Sequence, residues 1–166
     1  MDSRNDGRSR WASVGIAGLF VLGCELVGVV GALTTVTGDA SWYDGLTKPP
    51  FNPPNWLFGP VWTTLYAMMG VSAYLVWRED RNRSEVRVAL GLFAAQLVLN
   101  GIWTPVFFGA ESIVGGAVVI LALWVALVLT MRAVFRVSRP AGWLLVPYLL
   151  WVSFAAVLNL SIWVLN

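Results

Sequence analysis

The sequence contains no histidine and only one cysteine and one lysine among its 166 residues. Without histidine or a cysteine cluster, one chain cannot build a structural zinc site or hold a haem through an axial histidine. Cys24 has no partner for a disulfide within the chain. The sequence also shows no motif that pairs a nucleophile with a general base. The sequence therefore predicts no cofactor, no metal site and no conventional hydrolytic centre.

Charge is scarce as well. Charged residues make up 12% of the chain and hydrophobic residues 58%, and the mean hydropathy is +0.71. This composition provides too little polar surface for a water-soluble globule, so the bilayer and its lipids are the predicted surroundings. Five apolar runs are long enough to cross a membrane, at residues 12–36, 56–77, 88–108, 113–134 and 143–165. We predict an all-α membrane protein, a single domain over residues 1–166, built as a five-transmembrane-helix bundle.

The basic residues predict the orientation of the bundle. Every arginine precedes the first run or lies near the second-to-third or fourth-to-fifth connection, whereas Lys48 alone lies on the other side. Because connections rich in arginine and lysine remain on the cytoplasmic side of a membrane, the N-terminus should be cytoplasmic and the C-terminus outside. The basic pI of about 9.0 is then a consequence of topology, and no nucleic-acid partner is expected. The protein is predicted to be a multi-pass component of a prokaryotic cell membrane.

The first connection, residues 37–55, is rich in proline and is called here the proline-rich loop. Proline restricts backbone torsions and removes backbone donors, so such a loop can act as a semi-rigid lid. An alternative is a stiff connection whose tryptophans anchor at the lipid headgroups. The predicted lid residues are Lys48, Pro49, Phe51, Pro53, Pro54 and Trp56.

Three predicted spans carry aromatic and amide side chains at helical spacing. In the third span Gln96 and Asn100 share a face with two aromatic residues, Trp103 and Phe107. Unpaired amides are costly in hydrocarbon, so this face should point into the bundle. Similar faces occur around Trp62 in the second span and Trp151 in the fifth. The pattern favours a pocket for a large, flat, apolar ligand beneath the loop; a packed aromatic core with paired amides is the alternative.

The same residues carry a resemblance to a known family. The run from Trp42 to Gly70, with its prolines and tryptophans, resembles the signature of the TspO/MBR family, the tryptophan-rich sensory proteins, translocator proteins and peripheral-type benzodiazepine receptors. The resemblance continues in 100–109 and 147–159. It implies five transmembrane helices, frequent homodimers and a porphyrin-binding pocket under the first long loop. The candidate ligand-binding residues are Trp42, Trp62, Tyr66, Asn100, Trp103, Phe107, Tyr148, Trp151, Phe154, Ala155, Leu158 and Asn159.

Three classes of function follow from these observations. We expect a membrane receptor or sensor that binds porphyrins, which are tetrapyrrole intermediates, and regulates or moves them. The first alternative, implied by the resemblance alone, is a light-dependent porphyrin-degrading enzyme in which Trp62 and Trp151 are the catalytic residues. The second is a transporter of porphyrin or sterol-like ligands. The cholesterol-recognition motif of animal relatives after the fifth helix is absent, because no basic residue follows Arg139.

Two further features concern individual helices. Glu25 is the one acid inside any predicted span, where an ionised carboxylate is expensive. It is expected either to be protonated and bonded to a neighbouring helix or to face the pocket. Gly91 and Ala95 form a small-residue pair on the third span, away from the amide face, and predict a homodimer seam.

Overall fold

The computed structural model of the chain describes residues 3–35, 41–80 and 82–166, with side chains of residues 3–10 and 34 excepted. Within these residues all regular secondary structure is helical. The helices are α1 (Ser3–Thr34), α2 (Trp42–Gly45), α3 (Phe58–Trp77), α4 (Ser84–Thr104), α5 (Ile113–Val137), α6 (Arg139–Leu144) and α7 (Val146–Leu165). A 3-10 turn at Asn55–Leu57 precedes α3, and a π turn at Pro105–Gly109 extends α4.

Four helical segments in the described residues are long and apolar enough to cross a membrane. They are Trp11–Leu33, Ser84–Gly109, Ile113–Val137 and Arg139–Leu165. The protein is therefore a multi-pass integral membrane protein. The remaining predicted span, 56–77, corresponds to α3, a helix of 20 residues that is not among these four. The five-span count and the orientation of the termini remain predictions.

The long helices form a closed ring. Helix α1 packs against α3 and α4, α4 packs against α5, and α5 packs against α7. Helix α3 closes the ring through its contacts with α6 and α7. A large core of buried side chains, including Met69, Leu127 and Tyr148, runs through the ring, and a smaller buried cluster surrounds Tyr43 and Phe107. The interior of the bundle is consequently surrounded by five long helical segments.

Two glycines let α1 lie close to α3. A Cβ atom on Gly70 would lie 2.4 Å from the Cα of Val21, so the two backbones touch at this point. A Cβ atom on Gly28 would lie 2.4 Å from the ring of Tyr66. These contacts leave no room for any larger side chain without movement of a backbone or a ring. Small residues thus set the spacing of α1 and α3.

The helices extend beyond, or stop short of, some predicted limits. Helix α4 begins at Ser84 rather than 88, because its core-facing side continues to Val86, which is fully buried. The last predicted span is divided at Leu145, two residues before Pro147. Proline lacks an N–H group and clashes with the carbonyl four residues earlier, which explains the interruption.

The proline-rich loop is only partly described, because residues 36–40 lie outside the described ranges. Its second part contains α2, a short helix that the sequence analysis did not predict. The side chain of Ser41 caps α2 by accepting a hydrogen bond of 3.2 Å from the backbone N–H of Asp44. The loop therefore has local helical structure in addition to its prolines.

Candidate functional site

A cavity of about 450 Å³ lies inside the bundle beneath the proline-rich loop. Helices α1, α3, α4 and α7 form its walls, and Ile120 and Leu123 of α5 contribute a smaller part. Its lining is mainly apolar and aromatic, with a few polar groups. This combination is typical of pockets for small organic ligands, whose volumes are commonly about 300–1,000 Å³.

Most of the candidate ligand-binding residues meet at this cavity. Those that line it are Trp62, Tyr66, Asn100, Trp103, Phe107, Trp151, Ala155, Leu158 and Asn159. The other three candidates do not line it. Trp42 packs edge-on against Phe107 and Phe154 packs against Trp151, so both lie behind wall residues. Tyr148 is completely buried among the helices.

A chain of hydrogen bonds behind the cavity joins three helices. The Tyr66 hydroxyl on α3 donates to Oδ1 of Asn100 on α4. Nδ2 of Asn100 donates to the Tyr148 hydroxyl on α7 at 2.9 Å, and that hydroxyl donates to Oε1 of Gln96 at 3.0 Å. Both amide side chains are buried. This network holds Asn100 in one orientation at the cavity wall and satisfies much of its polarity within the protein.

Aromatic rings form much of the wall surface. Trp103 and Phe107 stack with their ring centres 5.2 Å apart and an angle of 13° between their planes. The ring centre of Trp62 lies 5.4 Å from that of Tyr66, one helical turn further along α3, and the angle between the two ring planes is 30°. The π turn at Pro105–Gly109 presents Phe107 to this stack. Flat ring faces in this arrangement suit a flat apolar ligand.

Several buried polar atoms around the cavity lack a partner among the described residues. They include both amide atoms of Asn159 and the indole nitrogens of Trp103 and Trp151. Asn159 is only 2% exposed and lines the cavity. Unpaired buried groups cost roughly 1–3 kcal/mol each, so native proteins rarely retain them without a reason. A ligand that bonds to these atoms would remove that cost.

The predicted lid residues do not themselves line the cavity. Phe51 instead contacts Phe154, at 6.4 Å between ring centres, while Trp56 points outward and is 72% exposed. Lys48 forms an ion pair of 3.8 Å with Asp44. Among the described residues of the loop region, Tyr43 and Asn55 reach the cavity, followed by Phe58 and Gly59 at the start of α3.

Two of the contacts made by the described loop residues fasten the loop to the rest of the protein. At the first, Asn166 forms two hydrogen bonds with the backbone of Thr47, accepting from its N–H at 2.9 Å and donating to its carbonyl at 3.0 Å. At the second, buried Tyr43 packs against Phe107 and Phe108. Burial raises the pKa of Tyr43, and the hydrogen bond that its hydroxyl donates to Asn52 partly offsets the shift. Tyr43 therefore closes the cavity as a neutral phenol.

Sequence reasoning missed most of the wall formed by α1, where only Glu25 had been considered as a residue that faces the pocket. Gly28, Gly31, Ala32 and Thr35 line the cavity on this side, as does Glu25. The first four are small residues, and each has another of them three or four positions away, a spacing that places them on one side of the helix. That spacing was a usable signal, but it lacks the aromatic residues that drew attention to the other spans.

Among the described residues, no three acidic or cysteine side chains lie close enough together to hold a metal ion. The pattern of the TspO/MBR family matches residues 20–164.

The chain belongs to the TspO/MBR family. It is similar to the tryptophan-rich protein TspO of Chlorobaculum tepidum, with 49% identity covering 86% of this chain and 90% of that one. It is 36% identical to the protein CrtK of Rhodobacter capsulatus over 93% of this chain and 94% of the relative. The human translocator protein is 46% identical over 74% of this chain and 73% of its own length. The residues matched by the family, 20–164, include every described residue that lines the cavity.

Proposed function

We propose that this TspO/MBR protein is a membrane receptor that binds a porphyrin, or a tetrapyrrole of similar shape, in the cavity beneath the proline-rich loop. The observation that carries the proposal is the set of unpaired polar atoms on Trp103, Trp151 and Asn159 in an otherwise aromatic wall. Apolar ring faces with a few fixed polar groups match a flat macrocycle with polar atoms at its centre and edge. The volume of about 450 Å³ is within the range of pockets for small organic ligands, about 300–1,000 Å³.

The names of relatives support a sensory or translocating role. One relative, from Cereibacter sphaeroides, is named a tryptophan-rich sensory protein, and the mammalian relatives are named translocator proteins. In this proposal the bound ligand is sensed or passed onward rather than merely stored. The alternative, transport of a porphyrin or sterol-like molecule, uses the same cavity and differs in whether the ligand leaves on the other side.

The proposed membrane arrangement includes α3 as a fifth span. Helix α3 has 20 residues and contains no charged side chain, and at 1.5 Å per residue it is about 30 Å long. It also packs along α1, which is itself a membrane-crossing segment. With five crossings and arginine-rich connections in the cytoplasm, the N-terminus is inside and the loop is outside. The similarity to bacterial TspO proteins supports a prokaryotic cell membrane.

We propose in addition that two copies associate through the lipid-facing side of α4. Gly91 and Ala95 are both exposed in the single chain. Val88 and Val98 on the same helix are more than half exposed. Small residues bordered by apolar side chains allow close approach of two helices within a bilayer. This surface faces away from the cavity, so dimer formation and ligand binding are separable.

Porphyrin degradation under light is a second candidate, and one observation favours it. Trp62 and Trp151, the two candidate catalytic residues, line the same cavity from different helices. A macrocycle bound between these helices contacts both indoles, whose rings are easily oxidised, as is that of Trp103 in the same wall. Trp62→Phe and Trp151→Phe would retain an aromatic surface, so each variant should bind porphyrin within about tenfold of wild type.

The two candidate functions are separated by titration of the purified protein in nanodiscs with protoporphyrin IX, in the dark and under light. Saturable quenching of tryptophan fluorescence with no new pigment supports a receptor. Light-dependent pigment formed by wild type, above a control with empty nanodiscs and lost in both tryptophan variants, supports the enzyme. Absence of saturable quenching would reject porphyrin binding altogether.

A further inference from the structure

The cavity wall contains an acidic residue within a membrane-crossing helix. Glu25 of α1 lines the cavity beside Gly28 and Val29, and its side chain is partly buried. Its carboxylate has no hydrogen-bond donor or cation as a partner among the described residues. Acidic residues at such positions are costly, and they commonly serve a function. Of the two orientations considered for Glu25, the structure has the one that faces the pocket.

No positive charge balances this acid inside the cavity. The described lining residues include neither lysine nor arginine. Lys48 is held elsewhere, because its Nζ lies 3.8 Å from Oδ1 of Asp44 and 4.9 Å from the centre of the Tyr43 ring. A ligand carboxylate that entered the cavity on the α1 side would therefore meet Glu25 without a compensating cation.

The walls formed by α4 and α7 have different chemistry. There Asn159 provides a donor and an acceptor, and the indoles of Trp103 and Trp151 each provide a donor. Asn159 is 98% buried and has no partner on either amide atom within the described part of the chain. The cavity thus has hydrogen-bonding groups on α4 and α7 and a carboxyl group on α1.

We propose that Glu25, ionised where it faces the cavity, determines which ligands this cavity accepts. It favours a flat ring system whose α1-facing edge carries hydrogen-bond donors or a positive charge, and it disfavours ligand carboxylates at that edge. Asn159 and the two indoles bind polar atoms elsewhere on the same ring. This inference rests on the proposed function, and it specifies a tetrapyrrole whose side chains toward α1 are uncharged or cationic. Repulsion between like charges, stronger away from bulk water, is the physical basis.

The experiment compares protoporphyrin IX with its dimethyl ester, which has the same ring but no charged carboxylates. Dissociation constants for both are measured by fluorescence quenching in nanodiscs, for wild type and for Glu25→Gln. The measured quantity is the ratio of the two dissociation constants, acid over ester, because differences in lipid partitioning cancel between proteins. Glu25→Gln should lower this ratio about tenfold. In the control Glu111→Gln, which removes an exposed acid outside the cavity, the ratio should not change.

Each outcome has a defined meaning. If both porphyrins bind and Glu25→Gln leaves the ratio unaltered, the role of Glu25 is rejected while the proposed function stands. If neither porphyrin binds wild type saturably, the proposed function itself fails. Should Glu25→Gln not fold, wild type is tested with a derivative of the same ring that has ammonium groups in place of the carboxylates. Tighter binding of that derivative than of the acid supports the proposal, and the reverse order overturns it.

Discussion

Replacement of Tyr148 by phenylalanine tests whether this residue belongs to the support of the cavity or to its surface. Tyr148 was a candidate ligand contact, yet its side chain is fully buried and does not line the cavity. Its hydroxyl instead accepts from Asn100 at 2.9 Å and donates to Gln96 at 3.0 Å. We expect Tyr148→Phe to lower stability while porphyrin affinity stays within about threefold of wild type.

The magnitude follows from the two hydrogen bonds. Hydrogen bonds between helices in membranes contribute about 0.6 kcal/mol on average, and buried hydrogen bonds in soluble proteins about 0.5–1.5 kcal/mol. Loss of both bonds also leaves Nδ2 of Asn100 and Oε1 of Gln96 unpaired, and Nε2 of Gln96 is already without a partner among the described residues. The free energy of unfolding should therefore fall by about 1–3 kcal/mol.

Stability can be measured by unfolding in mixed micelles with increasing sodium dodecyl sulfate, in parallel with porphyrin titration. Tyr74→Phe is the control, because it too removes a phenol hydroxyl. Tyr74 is partly buried, and its hydroxyl has no hydrogen bond among the described residues. That control should unfold like wild type. A Tyr148→Phe protein with wild-type stability and affinity reduced more than about tenfold would refute the reasoning, since it would indicate direct ligand contact.

Three other predictions concern the loop and the lipid-facing surface. Pro53→Gly combined with Pro54→Gly should raise the ligand dissociation rate several-fold, because a more flexible loop orders at greater entropic cost; unchanged stopped-flow kinetics would reject the lid. Asn166→Ala removes both hydrogen bonds to Thr47 and should speed amide exchange in the loop, whereas wild-type protection would show that this link is unimportant. Ala95→Phe should reduce the dimer fraction in chemical cross-linking through a steric clash, and an undiminished dimer would exclude this seam.

Much of the fold can be predicted from the sequence because the bilayer imposes strong constraints. Apolar runs locate the helices, and the amide face of the third span correctly indicates that Gln96 and Asn100 point inward. Helix limits are harder to predict, since they depend on local packing and backbone geometry. The start of α4 follows from the burial of Val86, and the interruption at Leu145 follows from Pro147.

Which residues line the cavity was harder to predict where those residues have no distinctive functional group. Gly28 lines the cavity because its missing side chain lets Tyr66 approach α1, and nothing in the local sequence specifies which helix it meets. Tyr148 and Asn100 are both polar residues on interior faces, but only the three-dimensional packing shows that Asn100 lines the cavity and that Tyr148 supports it from behind. Such assignments depend on contacts between distant segments, which periodicity does not reveal.

The most direct test of the account fills the cavity with a side chain. Ala155 lines the cavity, whereas Ala122 of α5 is exposed on the outside of the bundle, so Ala155→Phe and Ala122→Phe add the same ring at different places. The measurement is the dissociation constant for protoporphyrin IX in nanodiscs, with folding checked by thermal unfolding. We expect at least about tenfold weaker binding for Ala155→Phe and wild-type binding for Ala122→Phe. A folded Ala155→Phe protein that binds porphyrin as tightly as wild type would contradict the central claim that this cavity is the binding site.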